Sequence, residues 1–303
     1  MIVLPVIVFI LAPPFANVTR PRKGRAQRDG LPMKIEVVQT TTRDGDTAHN
    51  LRGILEALAQ CAPDTDILLF PESHLTGFLA EDDVGMLSEA VDGDAVQAVV
   101  EAARRHNVAV VLGLYENDGG TFYNTTLFIA PEGILLTYRK THLWLPEHGI
   151  VVPGDRFATV EWRGVRLGLL ICYDSEFPET ARALKTLGAQ LMLITDGLAE
   201  PEDHVHRVSV MARAMENQVF AVVANRVGDG PDGCVFVGAS LAVDPYGQIL
   251  FEAGRGESRH SVTLDLSLIG KARAFHDYSA NQRIQLPGER IEHANGVREL
   301  IIN

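Results

Sequence analysis

The sequence predicts an α/β domain built on mixed β-sheets, and two observations carry that prediction. From Met33 onward, short apolar runs alternate with amphipathic stretches. Partway along, pairs of strand-like runs are joined by turns too short to hold a helix. An all-parallel sheet needs a long crossover at every connection, so these turns require antiparallel pairs beside the parallel ones.

In chain order, "KIEVVQT" reads as a strand and "TDILLFPE" as a short buried strand. Between them "TAHNLRGILEALAQCA" reads as a helix with apolar residues at spacings of three and four. "DAVQAVVEAARRHN" is helical and "VAVVLGLYE" strand-like, so two strand-helix-strand units are complete before residue 117. "TFYNTTLFIA" and "GILLTYRKTHL" flank "PEG" and form a hairpin. "FATVEWRGVRLGLLIC" reads as a second hairpin turning at Arg163 and Gly164. "ETARALKTLGA", "LMLITD", "HVHRVSVMARAMENQ", "VFAVVANRVG" and "GASLAVDPYGQILFEA" continue the mixture of helix and strand. No internal repeat or low-complexity linker divides residues 33–285, so one domain is the simplest count. The tail, residues 286–303, is polar and then closes on "LIIN"; it is expected to be a docked terminal segment or a subunit contact.

With 303 residues, 46% of them hydrophobic, the chain can bury a substantial core, which excludes disorder. A net charge of -12 argues against a nucleic-acid surface, which needs clustered Lys and Arg. Residues 1–32 are different in kind, with Arg20, Arg22, Lys23, Arg25 and Arg28 against Asp29. Their apolar run resembles a signal-peptide core, but its positive charges follow it, which opposes export, and it is short for a bilayer. The segment is expected to be a disordered extension or a start assigned too early, with Met33 opening the domain and no stable membrane insertion. Cys61, Cys172 and Cys234 form no CxxC pair, which suits free thiols in a reducing compartment, and a cytoplasmic location is expected.

Active sites in open α/β architectures gather where strands end, because a rigid sheet holds the side chains at its rim. Three runs end on reactive residues: "DILLFPE" at Glu72, "ILLTYRK" at Lys140 and "RLGLLIC" at Cys172. Singly, each has a bland reading as a solvated carboxylate, an edge lysine or a small buried hydrophobe. Together they supply what acyl transfer requires: a base for the thiol proton, a cation for the oxyanion and a nucleophile for the carbonyl.

In that order, "FPESHLTGF", "YRKTHL" with "PEHGIVVPGDRF", and "LLICYDSEFPE" resemble the three signature blocks of the nitrilase superfamily of carbon-nitrogen hydrolases. "RAMENQVFAVVANRVG" and "GASLAVDPYGQIL" resemble its later blocks, so the likeness runs from Met33 to about residue 285. The resemblance implies a four-layer αββα sandwich with two mixed β-sheets, often paired with a second copy. It implies a catalytic triad of Glu72, Lys140 and Cys172, with Glu147 as the second glutamate that such enzymes place after the lysine. Glu72 would be general base on Cys172, the Tyr173 backbone N–H and Lys140 would hold the oxyanion, and Glu147 would orient substrate or water. No metal or organic cofactor is implied. Asp174, Glu176 and Glu179 are expected to serve the turn and the following helix start.

Rival constellations are weaker. A papain-like pairing of Cys172 with His142 or His148 lacks a recognisable orienting Asn or Asp. His204 and His206 would share a face on a strand as some zinc ligands do, but "RVSVMARAMENQ" looks helical, and solvent-facing histidines are expected there. A catalytically silent binding protein on the same fold is the alternative of a different class. The "CYDSEFPE" block looks more like the amidase branches than true nitrilases, while Asp196 and Gly197 replace the small-residue or proline-containing segment of many relatives. The expected reaction is hydrolysis of a small carboxamide to acid and ammonia, with an N-carbamoyl amine or amino acid as the nearest alternative. Tyr123 and Trp144, together with Tyr173 and Glu147, are pocket candidates by proximity to the motifs.

Overall fold

The computed structural model describes residues 32–202 and 204–302. The expectations for residues 1–32 lie, but for Pro32, outside the described residues. The first strand-helix alternation runs β1 (Met33–Gln39), α1 (Thr47–Gln60), β2 (Ile67–Leu69), α2 (Glu81–Leu87), α3 (Asp94–His106) and β3 (Ala109–Asp118). Two hairpins follow, β4 (Thr121–Ala130) with β5 (Gly133–Arg139), then β6 (Arg156–Trp162) with β7 (Val165–Ile171). The chain continues through α4 (Pro178–Thr186), β8 (Leu191–Asp196), α5 (Val205–Asn217), β9 (Phe220–Asn225), β10 (Val227–Asp229) and β11 (Val235–Val237). It ends with β12 (Leu241–Val243), β13 (Ile249–Glu252), β14 (Ser258–Leu264), α6 (Ser267–Phe275), α7 (Tyr278–Asn281), β15 (Glu289–Glu292) and β16 (Arg298–Ile301).

Local chemistry sets these boundaries. The Asp46 side chain accepts the His49 N–H at 2.9 Å, which caps α1, and that helix buries Ile54, Ala57 and Leu58 on one stripe. Asn107 closes α3 with a left-handed backbone, φ 51°. In the β6–β7 turn both Arg163 (φ 50°) and Gly164 (φ 76°) are left-handed, which matches the twist of a two-residue hairpin.

Both large sheets are mixed. One has the order β14-β1-β2-β3-β4-β5, parallel across β1, β2 and β3. The other has the order β13-β12-β9-β8-β7-β6-β16-β15, parallel across β7, β8 and β9. A continuous apolar core joins Ile35, Val37, Leu69 and Val111 of the first sheet to Leu169 and Val222 of the second and to Leu184 and Val210 beyond it. A separate core packs Ile54 and Leu58 of α1 and Val96 and Val99 of α3 on Leu68, Val110 and Leu112. The layers are therefore helix, sheet, sheet, helix, the sandwich that the resemblance implied. The C-terminal tail is docked: β16 pairs antiparallel with β6 and buries Leu300. β15, reading "ERIE", is a largely exposed edge strand, and its polarity hid it from hydrophobic patterning.

Candidate active site

The reactive residues sit immediately beyond strand ends of two sheets. Glu72 lies in the turn after β2, Lys140 directly follows β5, and Cys172 directly follows β7. The Glu72 turn is pressed against β3, where a side chain on Gly113 would come within 2.4 Å of the Ser73 nitrogen. The Glu72 N–H donates to the Asp196 carbonyl at 3.1 Å, which stitches the first sheet to the end of β8 in the second.

Lys140 Nζ donates to Glu72 Oε1 at 2.8 Å and to Glu147 Oε2 at 2.7 Å. All three residues are buried, at 2%, 2% and 5% exposure for Lys140, Glu72 and Glu147. A charge group this dry persists only if its remaining hydrogen-bonding capacity is met. Asn124 of β4 meets it, donating from Nδ2 to Glu72 Oε1 at 2.8 Å and to Glu147 Oε1 at 2.7 Å, and the Trp144 N–H donates to Glu147 Oε2 at 2.7 Å. Burial pushes the Glu72 carboxyl above its ordinary range despite Lys140. Burial works against the Lys140 charge, but Glu72 and Glu147 outweigh it and hold the ammonium well above its ordinary value.

Cys172 opens the short turn Cys172–Glu176 with a left-handed backbone, φ 45°, a conformation a side-chain-bearing residue adopts only when its surroundings enforce it. Burial, then the Glu72 and Asp196 carboxylates, push the thiol well above its ordinary value, opposed by Lys140 and by a hydrogen bond from the Gly197 N–H. The resting sulfur is therefore a thiol that needs a base. Gly197 leaves the space: an added Cβ would lie 2.8 Å from Glu72 Oε2 and 2.7 Å from the Phe78 ring.

The structure thus brings Glu72, Lys140, Glu147 and Cys172 together. Trp144 and Tyr173 form part of an aromatic rim, with ring centroids 5.3 Å apart and Phe177 4.9 Å from Tyr173. Tyr123 is a correction. It sits one residue from Asn124 on β4, and strand alternation turns it to the opposite face, where Arg139 stacks 3.7 Å above its ring.

Asp174 is also more than a turn residue. Fully buried, it accepts from Tyr138 Oη and Thr141 Oγ1 at 2.8 Å and from the His142 N–H at 2.9 Å, which ties the lysine segment to the cysteine turn. His142 itself contacts Asp174 and stacks on Phe177. The expectation of solvent-facing histidines holds for His204 and fails for His206, which is 3% exposed and near the sulfur. Cys172, Asp196 and His206 offer ligand atoms within 4.8 Å of one another. Both nitrogens of His206 already face carboxylates, however, so the ring has no lone pair for a metal unless it gives up a proton.

The profile of the family described as carbon-nitrogen hydrolase matches residues 34–274. The chain belongs to the carbon-nitrogen hydrolase family. Among its relatives, an (R)-stereoselective amidase of a Pseudomonas species is 54% identical over 270 residues, 89% of this chain and 98% of that one. An amidase of Nesterenkonia sp. AN1 is similar in structure, with TM-score 0.75 and 33% identity, over 84% of this chain and 95% of its own. It was solved as a glutamate-to-glutamine mutant with the acetamide moiety of fluoroacetamide added covalently at its active-site cysteine. A carbon-nitrogen hydrolase superfamily protein of Xanthomonas campestris, carrying an arsenic adduct in its active site, matches with TM-score 0.79 and 26% identity over 85% of this chain and 99% of its own. Among carbon-nitrogen hydrolases this chain thus sits beside amidases.

Proposed function

We propose that this amidase hydrolyses a small linear carboxamide to its acid and ammonia through a thioester on Cys172. The observation that carries the reading is the convergence of a buried carboxylate pair and one ammonium on a thiol held in left-handed backbone. As the sulfur attacks the amide carbon, Glu72 takes the thiol proton, and the burial that raises its carboxyl makes it the stronger base. The oxyanion lies against Lys140 Nζ and the Tyr173 N–H, in the first turn of a helical segment, where backbone donors lack intrahelical acceptors. Glu72 returns the proton to nitrogen as the C–N bond breaks and ammonia leaves. A water then attacks the thioester, gives its proton through Glu72 to the departing sulfur, and frees the acid. Glu147 orients Lys140 and the substrate amide.

Trp144 and Tyr173 on one rim, and Phe78 stacked on Phe236 beside Gly197, suit an acyl group with apolar bulk. The (R)-stereoselective relative supports a preference for an (R)-configured amide. The exposed apolar residues Val208 and Met215 on α5 support a homo-oligomer, and three cysteines that form no disulfide support a cytoplasmic setting. Among the described residues no helix is long and apolar enough to cross a membrane.

The test is a panel of small amides, in both enantiomers where chiral, with nitriles and N-carbamoyl compounds, assayed for ammonia and carbon dioxide. Amides should give ammonia and acid without carbon dioxide, and Cys172→Ala should abolish turnover. Faster release of both gases from a carbamoyl compound would replace the amide reading.

A further inference from the structure

A second ion group, buried at Asp196 and His206 and half-buried at Glu176, adjoins the nucleophile and takes no part in the steps above. Asp196 is the last residue of β8, His206 lies in the first turn of α5, and Glu176 ends the cysteine turn. His206 Nδ1 meets Asp196 Oδ2 at 2.7 Å, and its Nε2 meets Glu176 Oε1 at 3.2 Å. With a carboxylate on each ring nitrogen, both nitrogens donate, so the ring is an imidazolium. Burial works against that charge, but Asp196 and Glu176 outweigh it and lift His206 to about 10. The Cys172 sulfur, an Asp196 oxygen and a His206 nitrogen all fall within 4.8 Å of one another.

Asp196 also accepts the Gly197 N–H on Oδ1 at 2.9 Å, and that N–H faces the sulfur. The Asp196-Gly197 corner therefore presents Cys172 with one anion and one backbone dipole. Alone, a carboxylate this close would oppose ionisation of the sulfur strongly, because a dry site screens little. Glu72 beyond β2 and Lys140 beyond β5 also act on the sulfur, with Glu147 behind the lysine, while Asp174 of the cysteine turn is tied to Tyr138, Thr141 and His142. Arg213 of α5 is committed to the Ser175 carbonyl and Glu216. Lys140 is already shared by two carboxylates, so the cation that offsets Asp196 is His206.

We propose that Glu176, His206 and Asp196 form a positioning relay for the nucleophile, in which His206 neutralises Asp196 and holds its carboxylate in place so that the sulfur can ionise beside it. The relay rests on Cys172 being the nucleophile. A doubly protonated ring cannot serve as a base, so His206 acts through Asp196 and exchanges no proton with substrate.

The test follows the iodoacetamide alkylation of Cys172 against pH by peptide mass spectrometry, together with kcat and KM on an amide. His206→Gln leaves Asp196 uncompensated: the alkylation midpoint should rise by about one pH unit and kcat/KM fall about tenfold, mostly in kcat. Adding Asp196→Asn to His206→Gln removes the anion and should return the midpoint toward that of the parent. An unchanged midpoint and kcat/KM in His206→Gln, or a midpoint that the double variant leaves raised, would overturn the relay. If His206→Gln does not fold, Glu176→Gln carries the test. The ring then keeps one carboxylate and loses its proton at lower pH, so the alkaline fall in kcat/KM should begin lower, and an unmoved limb overturns the proposal. Failure of the nucleophile assignment looks different, since Cys172→Ala would then leave amide turnover intact.

Discussion

Asn124 stands between two carboxylates that would otherwise face each other across a single lysine. Its Nδ2 donates to both Glu72 and Glu147, and both acids are buried, so no bulk water can take its place. Asn124→Leu should lower kcat about 10- to 100-fold, the range seen when a hydrogen-bonding partner that orients a reactive ligand is removed. Unfolding free energy should fall by about 1–3 kcal/mol for the lost partner. Steady-state kinetics and urea unfolding of one preparation check both, and an Asn124→Leu enzyme with unchanged kcat would remove Asn124 from the site. Sequence patterning could place Glu72, Lys140 and Cys172 because each ends an apolar run. Asn124 lies mid-strand, and alternation pairs it with one face of β4 without saying which face meets the site. Proximity to the motifs, which made Tyr123 a pocket candidate, likewise says nothing of the face it takes. His206 escaped for a different reason: its closeness to Cys172 arises from packing of α5 near the end of β8, which neither segment encodes alone.

At the scale of elements, two glycines separate packing from chemistry. Gly168 of β7 faces α4, and an added Cβ would meet the Leu184 side chain at 2.7 Å. Gly168→Ala should cost about 1–3 kcal/mol of stability through overpacking and leave kcat/KM nearly intact. Gly197 follows β8, where the added Cβ would press on Glu72 Oε2 and Phe78. Gly197→Ala should lower kcat/KM about 100-fold through displacement of Glu72, the proposed base, with a smaller loss of stability. Melting temperatures and kcat/KM of the pair check this, and a Gly197→Ala enzyme that is as active as Gly168→Ala would uncouple the corner from catalysis. Elements with strong local signals were legible: both hairpins, α1, α3 and the strand before each reactive residue. β15 was not, because an exposed edge strand has no buried face to write into its pattern, and α2, with three acids in its first turn and only Val84 buried, was hidden likewise.

For the whole molecule, two buried histidines of opposite charge state shape stability against pH. His206 is held as a cation, its value raised from 6.5 to about 10, so its contribution is complete below pH 6.5 and is lost as pH rises toward 10. His74 is held neutral: burial, then Arg226 and His49, lower it from 6.5 to about 3, while Thr42 Oγ1 lies 2.7 Å from its Nδ1. Its contribution is complete above pH 6.5 and is lost as pH falls toward 3. The two losses therefore begin at the same pH and run in opposite directions, each costing about 2 kcal/mol over roughly two units. Urea midpoints measured from about pH 5 to pH 9 should peak between pH 6 and 7, near the ordinary histidine value. His206→Gln should flatten the alkaline limb alone, and His74→Asn the acid limb alone, even though each variant is less stable at the peak. The raised carboxyl of Glu72 opposes the acid loss, because the folded state gains stability as that group takes up its proton, so the acid limb is read as the difference between parent and His74→Asn. An alkaline limb that persists unchanged in His206→Gln would mean that the imidazole between Asp196 and Glu176 is neutral at pH 7, and would take the charge balance beside Cys172 down with it.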